Sequence, residues 1–190
     1  MIRTYARINV FGAAIAVLSL SFPLAAAAQS GFGSSALKGH DTRAPIDIDA
    51  ARIEVRDRDS QAIFSGAVRV VQGNMTLSAA SMRVFYQNAA GGNLAINRLD
   101  AEGSVQLVSP SERVNARLGI YDVESRQITF VGGVVLNRGD SVLRGDRLVI
   151  DLENGRSTLD GSASSTDGGA RVTGRFVVPP RAAQGENPGR

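Results

Sequence analysis

Apolar residues recur at every second position along most of the chain, with polar residues in the gaps. Phe64-Gly66-Val68-Val70, Leu99-Ala101-Gly103-Val105-Leu107 and Ile128-Phe130-Gly132-Val134-Leu136 are ladders of this kind, and Ser, Arg, Asp, Glu, Gln or Asn occupies many intervening positions. A period of two places the apolar side chains of a strand on one face, whereas a helical stripe needs spacings of three and four. The pattern therefore predicts β-strands with one apolar and one wetted face. Turn-forming stretches separate the ladders: Arg56-Asp57-Arg58-Asp59, Gln72-Gly73-Asn74, Asn137-Arg138-Gly139-Asp140 and Asn154-Gly155. Such short connections join antiparallel neighbours.

Small residues keep a fixed beat inside this alternation. Ala50, Ala79, Ala116, Gly145 and Gly174 each follow an apolar residue two positions earlier, at gaps of 29, 37, 29 and 29. Gly66, Gly103, Gly132 and Gly161 repeat at 37, 29 and 29. The chain is an internal repeat in which one unit carries an eight-residue insertion between about Gln87 and Arg98, expected as a loop around Ala89-Ala90-Gly91-Gly92-Asn93. After Ala79 and Gly145, two residues intervene before alternation resumes. That predicts an extra residue, and so a β-bulge or corner, on the strands carrying these markers.

Parity along the ladders assigns an inward apolar face. It comprises Ile48, Ile53, Val55, Phe64, Val68, Leu77, Met82, Val84, Tyr86 and Leu99 in the first half of the chain. Val105, Leu107, Tyr121, Ile128, Phe130, Val134, Leu136, Leu148, Ile150 and Leu152 continue it in the second. The face is built from small, β-branched and leucine residues. The chain has no Trp, three Tyr and seven Phe, two of which lie before residue 29. A two-sheet sandwich that fills its own interior usually draws on bulkier side chains, so the scarcity points to a groove left open. Such a groove suits a hydrocarbon, because each buried methylene is worth about 0.8 kcal/mol.

The ends of the chain differ from this pattern. Arg3 and Arg7 precede an uncharged, mostly apolar run from Ile8 to Leu24 and then Ala25-Ala26-Ala27-Ala28-Gln29, the layout of a secretory signal peptide over 1–28, cleaved after Ala28. Residues 29–44 are Gly/Ser-rich and read as a flexible lead-in, and 179–190 as a disordered tail. One domain is expected over 45–178. Its first ladder starts at Pro45 and its last, Val172-Thr-Gly174-Arg-Phe176, ends before Pro179-Pro180, which leaves free edges at Ile46, Ile48, Val172 and Phe176. About six strands per sheet at roughly 4.8 Å would extend only about 30 Å.

Composition narrows the chemistry. With no cysteine, disulfides, thiolate catalysis, zinc–thiolate sites and lipoprotein acylation are excluded. Removal of residues 1–28 takes away two arginines and lowers the formal net charge from +3 to +1, a balance unlike that of a nucleic-acid binder. His40, the single histidine, falls in the lead-in with no partner residues placed around it. Asp100, Glu102, Asp146 and Asp151 alternate with apolar residues, as on a solvated strand face. No set of residues fills the roles of a catalytic centre, so no enzymatic activity, metal or cofactor is expected.

The same ladders carry a resemblance. Ala44-Pro-Ile-Asp-Ile-Asp-Ala50, Phe64-Ser-Gly66-Ala-Val68-Arg-Val70-Val-Gln72-Gly73 and Leu77-Ser-Ala79 are similar to the opening of the OstA-like domain of the LptA family. Leu99-Asp-Ala101-Glu-Gly103-Ser-Val105, Tyr121-Asp122, Thr129-Phe130-Val-Gly132-Gly-Val134 and Val142-Leu-Arg-Gly145-Asp146 continue the pattern, so the likeness spans about 45 to 178. What it implies is an all-β fold, a twisted, partly open antiparallel β-jellyroll of two sheets. It also implies a periplasmic bridge for lipopolysaccharide, with the acyl chains of lipid A shielded on the inward face and the sugars outside. The implied partners are an LptC-like inner-membrane protein at the N-terminal edge, an LptD-like outer-membrane protein at the C-terminal edge, and further copies stacked head to tail. Residues alone leave open a second class: a β-repeat scaffold that assembles through strand edges and binds no lipid.

Overall fold

Each alternating ladder forms one long strand, bent near its middle. The structure, a computed structural model, describes residues 37–88, 94–161 and 171–177. The signal-peptide reading of 1–28, residues 29–36 of the lead-in, the loop at 89–93 and the tail over 179–190 lie outside the described residues. The strands are β1 (Asp47–Asp49), β2 (Arg52–Arg56), β3 (Gln61–Gln72), β4 (Met75–Asn88), β5 (Leu94–Val108), β6 (Glu112–Asp122), β7 (Gln127–Arg138), β8 (Ser141–Asp151), β9 (Arg156–Asp160) and β10 (Thr173–Arg175). All pair antiparallel in sequence order, from β3 to β8. At one end β1 and β2 share the outer edge of β3; at the other β9 and β10 share that of β8. The fold is all-β, and among the described residues the sheet is open, with neither end pairing with the other.

The small-residue beat coincides with a row of bulges that folds this sheet into two layers. Ser65 pairs with Ser81 and Val68 with Ala79, so three steps on β3 face two on β4. The same surplus recurs on β5 between Glu102 and Val105, and on β7 between Val131 and Val134. Apolar parity flips on β4 and β8 as expected: Leu77 and Ala79 give way to Met82 and Val84, and Leu143 to Leu148. The extra residue, however, sits on the neighbouring strands, at Gly66-Ala67, Gly103-Ser104 and Gly132-Gly133, all with positive φ. Sequence parity shows where the face flips; only the pairing shows which strand carries the surplus. At Gly66 the requirement is double: φ is 85° and a Cβ would lie 2.7 Å from that of Ala51.

On one side of the bulge row lie β2, the first halves of β3, β5 and β7, the second halves of β4, β6 and β8, and β9. On the other lie β1, the remaining halves and β10. Among the described residues each layer thus has eight strand segments rather than the expected six, and at roughly 4.8 Å spacing spans about 34 Å. The layers enclose one apolar cluster that draws on β3 to β8. The insertion is not a loop alone. Its flanks lengthen the β4–β5 hairpin, with Tyr86 opposite Ile96 and Asn88 opposite Leu94 beyond a register shift at Phe85.

Candidate functional site

The inward face is uniform in sequence and uneven in exposure. Val68, Leu77, Met82, Val84, Leu99, Val105, Leu107, Tyr121, Ile128, Phe130, Val134, Leu136, Leu148, Ile150 and Leu152 are all buried in the one cluster. Phe130, Leu99 and Leu107 have zero exposure, so no water-sized space touches them. Gly119 leaves room for the Phe130 ring, whose edge lies 3.3 Å from where a Cβ would stand. The scarcity of aromatics therefore does not hold this stretch open. Aliphatic side chains are enough to fill it, since stacked sheets in general lie only about 10 Å apart.

Near β2 the same face is open. Ile53 and Val55 are each 55% exposed, and Ile48, Phe64 and Tyr86 are half-buried. With Ala62, Val84, Leu94 and Ile96 they line a largely apolar cavity of about 550 Å³, with Asp57, Ser60 and Asn88 also contributing. The exposed Leu94 and half-buried Ile96 come from the lengthened hairpin and were not among the inward residues expected from parity. The gap of 37 in the beat was their signal, since eight added residues lengthen two strands. Tyr86 is anchored there by its backbone N–H to Ser60 O at 3.0 Å, and its hydroxyl donates to Asp57 Oδ1 at 3.1 Å. At the far end Leu136, Arg138, Leu143, Leu148, Ser157, Leu159 and Val172 line a smaller cavity of about 110 Å³.

Two polar links tie the layers together away from the bulge row. Arg138 pairs with buried Glu112 at 2.5 Å on β6 and donates to Ser157 Oγ at 3.3 Å on β9, in the opposite layer. The Tyr121 hydroxyl donates to Gln72 Oε1 at 2.9 Å, again layer to layer. Burial pushes the Tyr121 hydroxyl up to about 12, with the Gln72 hydrogen bond pulling the other way.

Residues 37–44, expected as part of a flexible lead-in, pack on the domain. Leu37 is fully buried in the apolar cluster and His40 is nearly so. The amide of Gln72 donates to the carbonyls of Thr42 and Ala44, both at 3.0 Å, which fixes its Oε1 as the acceptor facing His40 Nε2 at 3.2 Å. His40 Nδ1 lies 3.3 Å from Asn74 Oδ1. Sequence reasoning missed this cluster because its partners are more than twenty-five residues away. The one local clue was Gln72, a polar residue at the end of an inward ladder.

Among the described residues nothing pairs with the outer side of β1, β2, β9 or β10. Val172 and Phe176, which flank β10, are exposed, and Ile46 and Ile48 are half-buried beside or within β1.

Residues 47–156 match the family model described as LptA/(LptD N-terminal domain) LPS transport protein. The chain belongs to this lipopolysaccharide-transport family. A curated relative, an uncharacterised protein of Rhizobium meliloti (strain 1021), is 36% identical over 156 residues, covering 78% of this chain and 84% of the relative. Among solved structures, LptH of Pseudomonas aeruginosa is described as the LptA-homologous periplasmic component of the lipopolysaccharide transport device. It superposes with a TM-score of 0.61 at 16% identity, covering 73% of this chain and 99% of LptH. That likeness establishes the family's β-jellyroll fold here. Among the described residues no helix is long and apolar enough to cross a membrane.

Proposed function

We propose that this member of the LptA family is a non-enzymatic periplasmic bridge that shields the acyl chains of lipid A between its layers while the sugars stay outside. The observation that carries the reading is the apolar cavity beside β2. An apolar cavity of about 150 Å³ suffices for a benzene-sized ligand, and this one is several times larger. Half a dozen methylenes placed there would contribute about 5 kcal/mol before the costs of association. Ile48, Ile53, Val55, Phe64 and Tyr86 are the first lipid contacts, and the buried inward residues are reached as the layers part. The free edges at Ile46 and Ile48 and at Val172 and Phe176 would take an LptC-like and an LptD-like partner respectively, or further copies head to tail. A span of about 34 Å per copy makes stacking necessary for a bridge.

A photoreactive residue at Phe64 should cross-link to lipopolysaccharide in purified mature protein, and one at exposed Leu118 on the outer face should not. Equal labelling at both sites would overturn the reading. A second reading has one observation in its favour. The filled middle is what an edge-assembled scaffold without cargo requires, and absence of labelling at Phe64, Phe130 and Ile150 together with polymerisation would select it.

A further inference from the structure

We propose that residues 37–44 form a strap across the side of the jellyroll away from the bulges, and that this strap must be released for cargo longer than the mouth cavity to enter. The inference rests on the lipid-shielding reading above. The strap runs from the hairpin turns of one layer to those of the other. His40 and the Gln72 hydrogen bonds fasten it at the β3–β4 turn. The Lys38 side chain packs at the β8–β9 turn, 2.6 Å from where a Cβ on Gly155 would stand, and Gly39 to Arg43 face Arg126 of the β6–β7 turn across a polar hollow.

Leu37 does inside the layers what a lipid methylene would do. Its side chain is fully buried in the same cluster as Ile128, Phe130 and Leu152. Gln72 explains why the strap stays. A buried amide is tolerated only when hydrogen-bonded, and both functional ends of this one are satisfied, by two strap carbonyls and by His40 and Tyr121. With the strap away, Gln72 and Tyr121 would be wetted, and an amide and a phenol would edge the newly opened side. The latch is thus polar and reversible, while the plug is apolar and replaceable by cargo of the same chemistry. The mouth cavity lies beyond the strap, lined by other residues, so a short chain can occupy it without disturbing Leu37.

Amide hydrogen exchange on the mature chain tests this. The amides of His40 and Ala44, hydrogen-bonded to the Leu37 and Asp41 carbonyls, report the strap, and those of β6 and β7 report the layers. Adding lipopolysaccharide should speed exchange at His40 and Ala44 at least tenfold and leave β6 and β7 protected; octyl glucoside, a single short chain, should leave the strap protected. Leu37→Ser should load lipopolysaccharide at least fivefold faster than wild type, and Tyr121→Phe, which removes only the hydroxyl, should shift loading the same way by a smaller factor. Loading at the wild-type rate in both variants, with strap amides still protected in the loaded protein, overturns the strap alone. No loading in wild type or either variant overturns the lipid-shielding reading together with the strap.

Discussion

The mouth near β2 and the middle around Phe130 are made from the same ladder, yet one is hollow and the other is filled. Phe64, Val84 and Ile96 differ little in kind from Phe130, Leu99 and Leu148, and all project between the layers. What differs is the surroundings. The middle has long strands on both sides and Leu37 inserted from the strap; the mouth has only the five-residue β2 and the three-residue β1 to cover it. Exposure along this face is therefore set by how far the layers extend and what lies over their open side, not by hydrophobicity of the inward residues.

The largest effect that would break the comparison is a charge in the filled part. Phe130→Asp should abolish cooperative folding, because a carboxylate there has neither water nor a partner, and even Phe130→Ala should cost about 3–5 kcal/mol in urea denaturation. Phe64→Asp should leave a folded protein that no longer retains lipopolysaccharide. If Phe130→Asp folded like wild type, the middle would be as wet as the mouth and the contrast would vanish. Next comes the hinge between layers. Gly103→Val places a β-branched residue at φ 82° with its Cβ 2.8 Å from that of Ala80, and should cost about 2–3 kcal/mol. An unchanged urea midpoint would show that the bulge row can relax without loss.

Much of the architecture was legible in the chain, for a local reason. Parity is a property of neighbouring residues, so Ile128-Phe130-Gly132-Val134-Leu136 shows a one-sided strand without knowledge of its partners. Gly66, Gly103 and Gly132, the positive-φ glycines that open the bulges, stand out through their period. Openness was not legible, because whether Phe64 or Phe130 meets solvent depends on β2, the lengthened hairpin and Leu37. Nor was the strap. Residues 37–44 have no periodicity, and Leu37, His40 and Gln72 acquire meaning only once a turn brings Gln72 beneath Thr42 and Ala44. Which strand carries the extra residue of each bulge is hidden in the sequence for the same reason: a surplus is defined by two strands together.

A smaller effect sharpens the open side. Ile53 is already exposed, so Ile53→Asp should change stability by no more than about 0.5 kcal/mol while weakening uptake of octyl glucoside at least fivefold. Equal binding by variant and wild type would mean that short chains sit elsewhere.

The smallest effect is a test of how dry the covered side is. Tyr121 titrates near 12 in the folded chain against an ordinary value near 10, since burial disfavours the phenolate. A raised pKa of this kind stabilises the fold fully below about pH 10, and that contribution is lost as the pH rises from about 10 towards 12, where the unfolded chain releases the proton first. The melting temperature should therefore fall across that window more steeply in wild type than in Tyr121→Phe, which has no proton to lose. Tyr86, at the mouth, is raised chiefly by desolvation with Asp57 adding to it, but it stands close to solvent, so Tyr86→Phe should flatten the profile less. If the two variants gave superimposable alkaline profiles, Tyr121 would be no better shielded than the mouth residue, and the covered middle would be open to water after all.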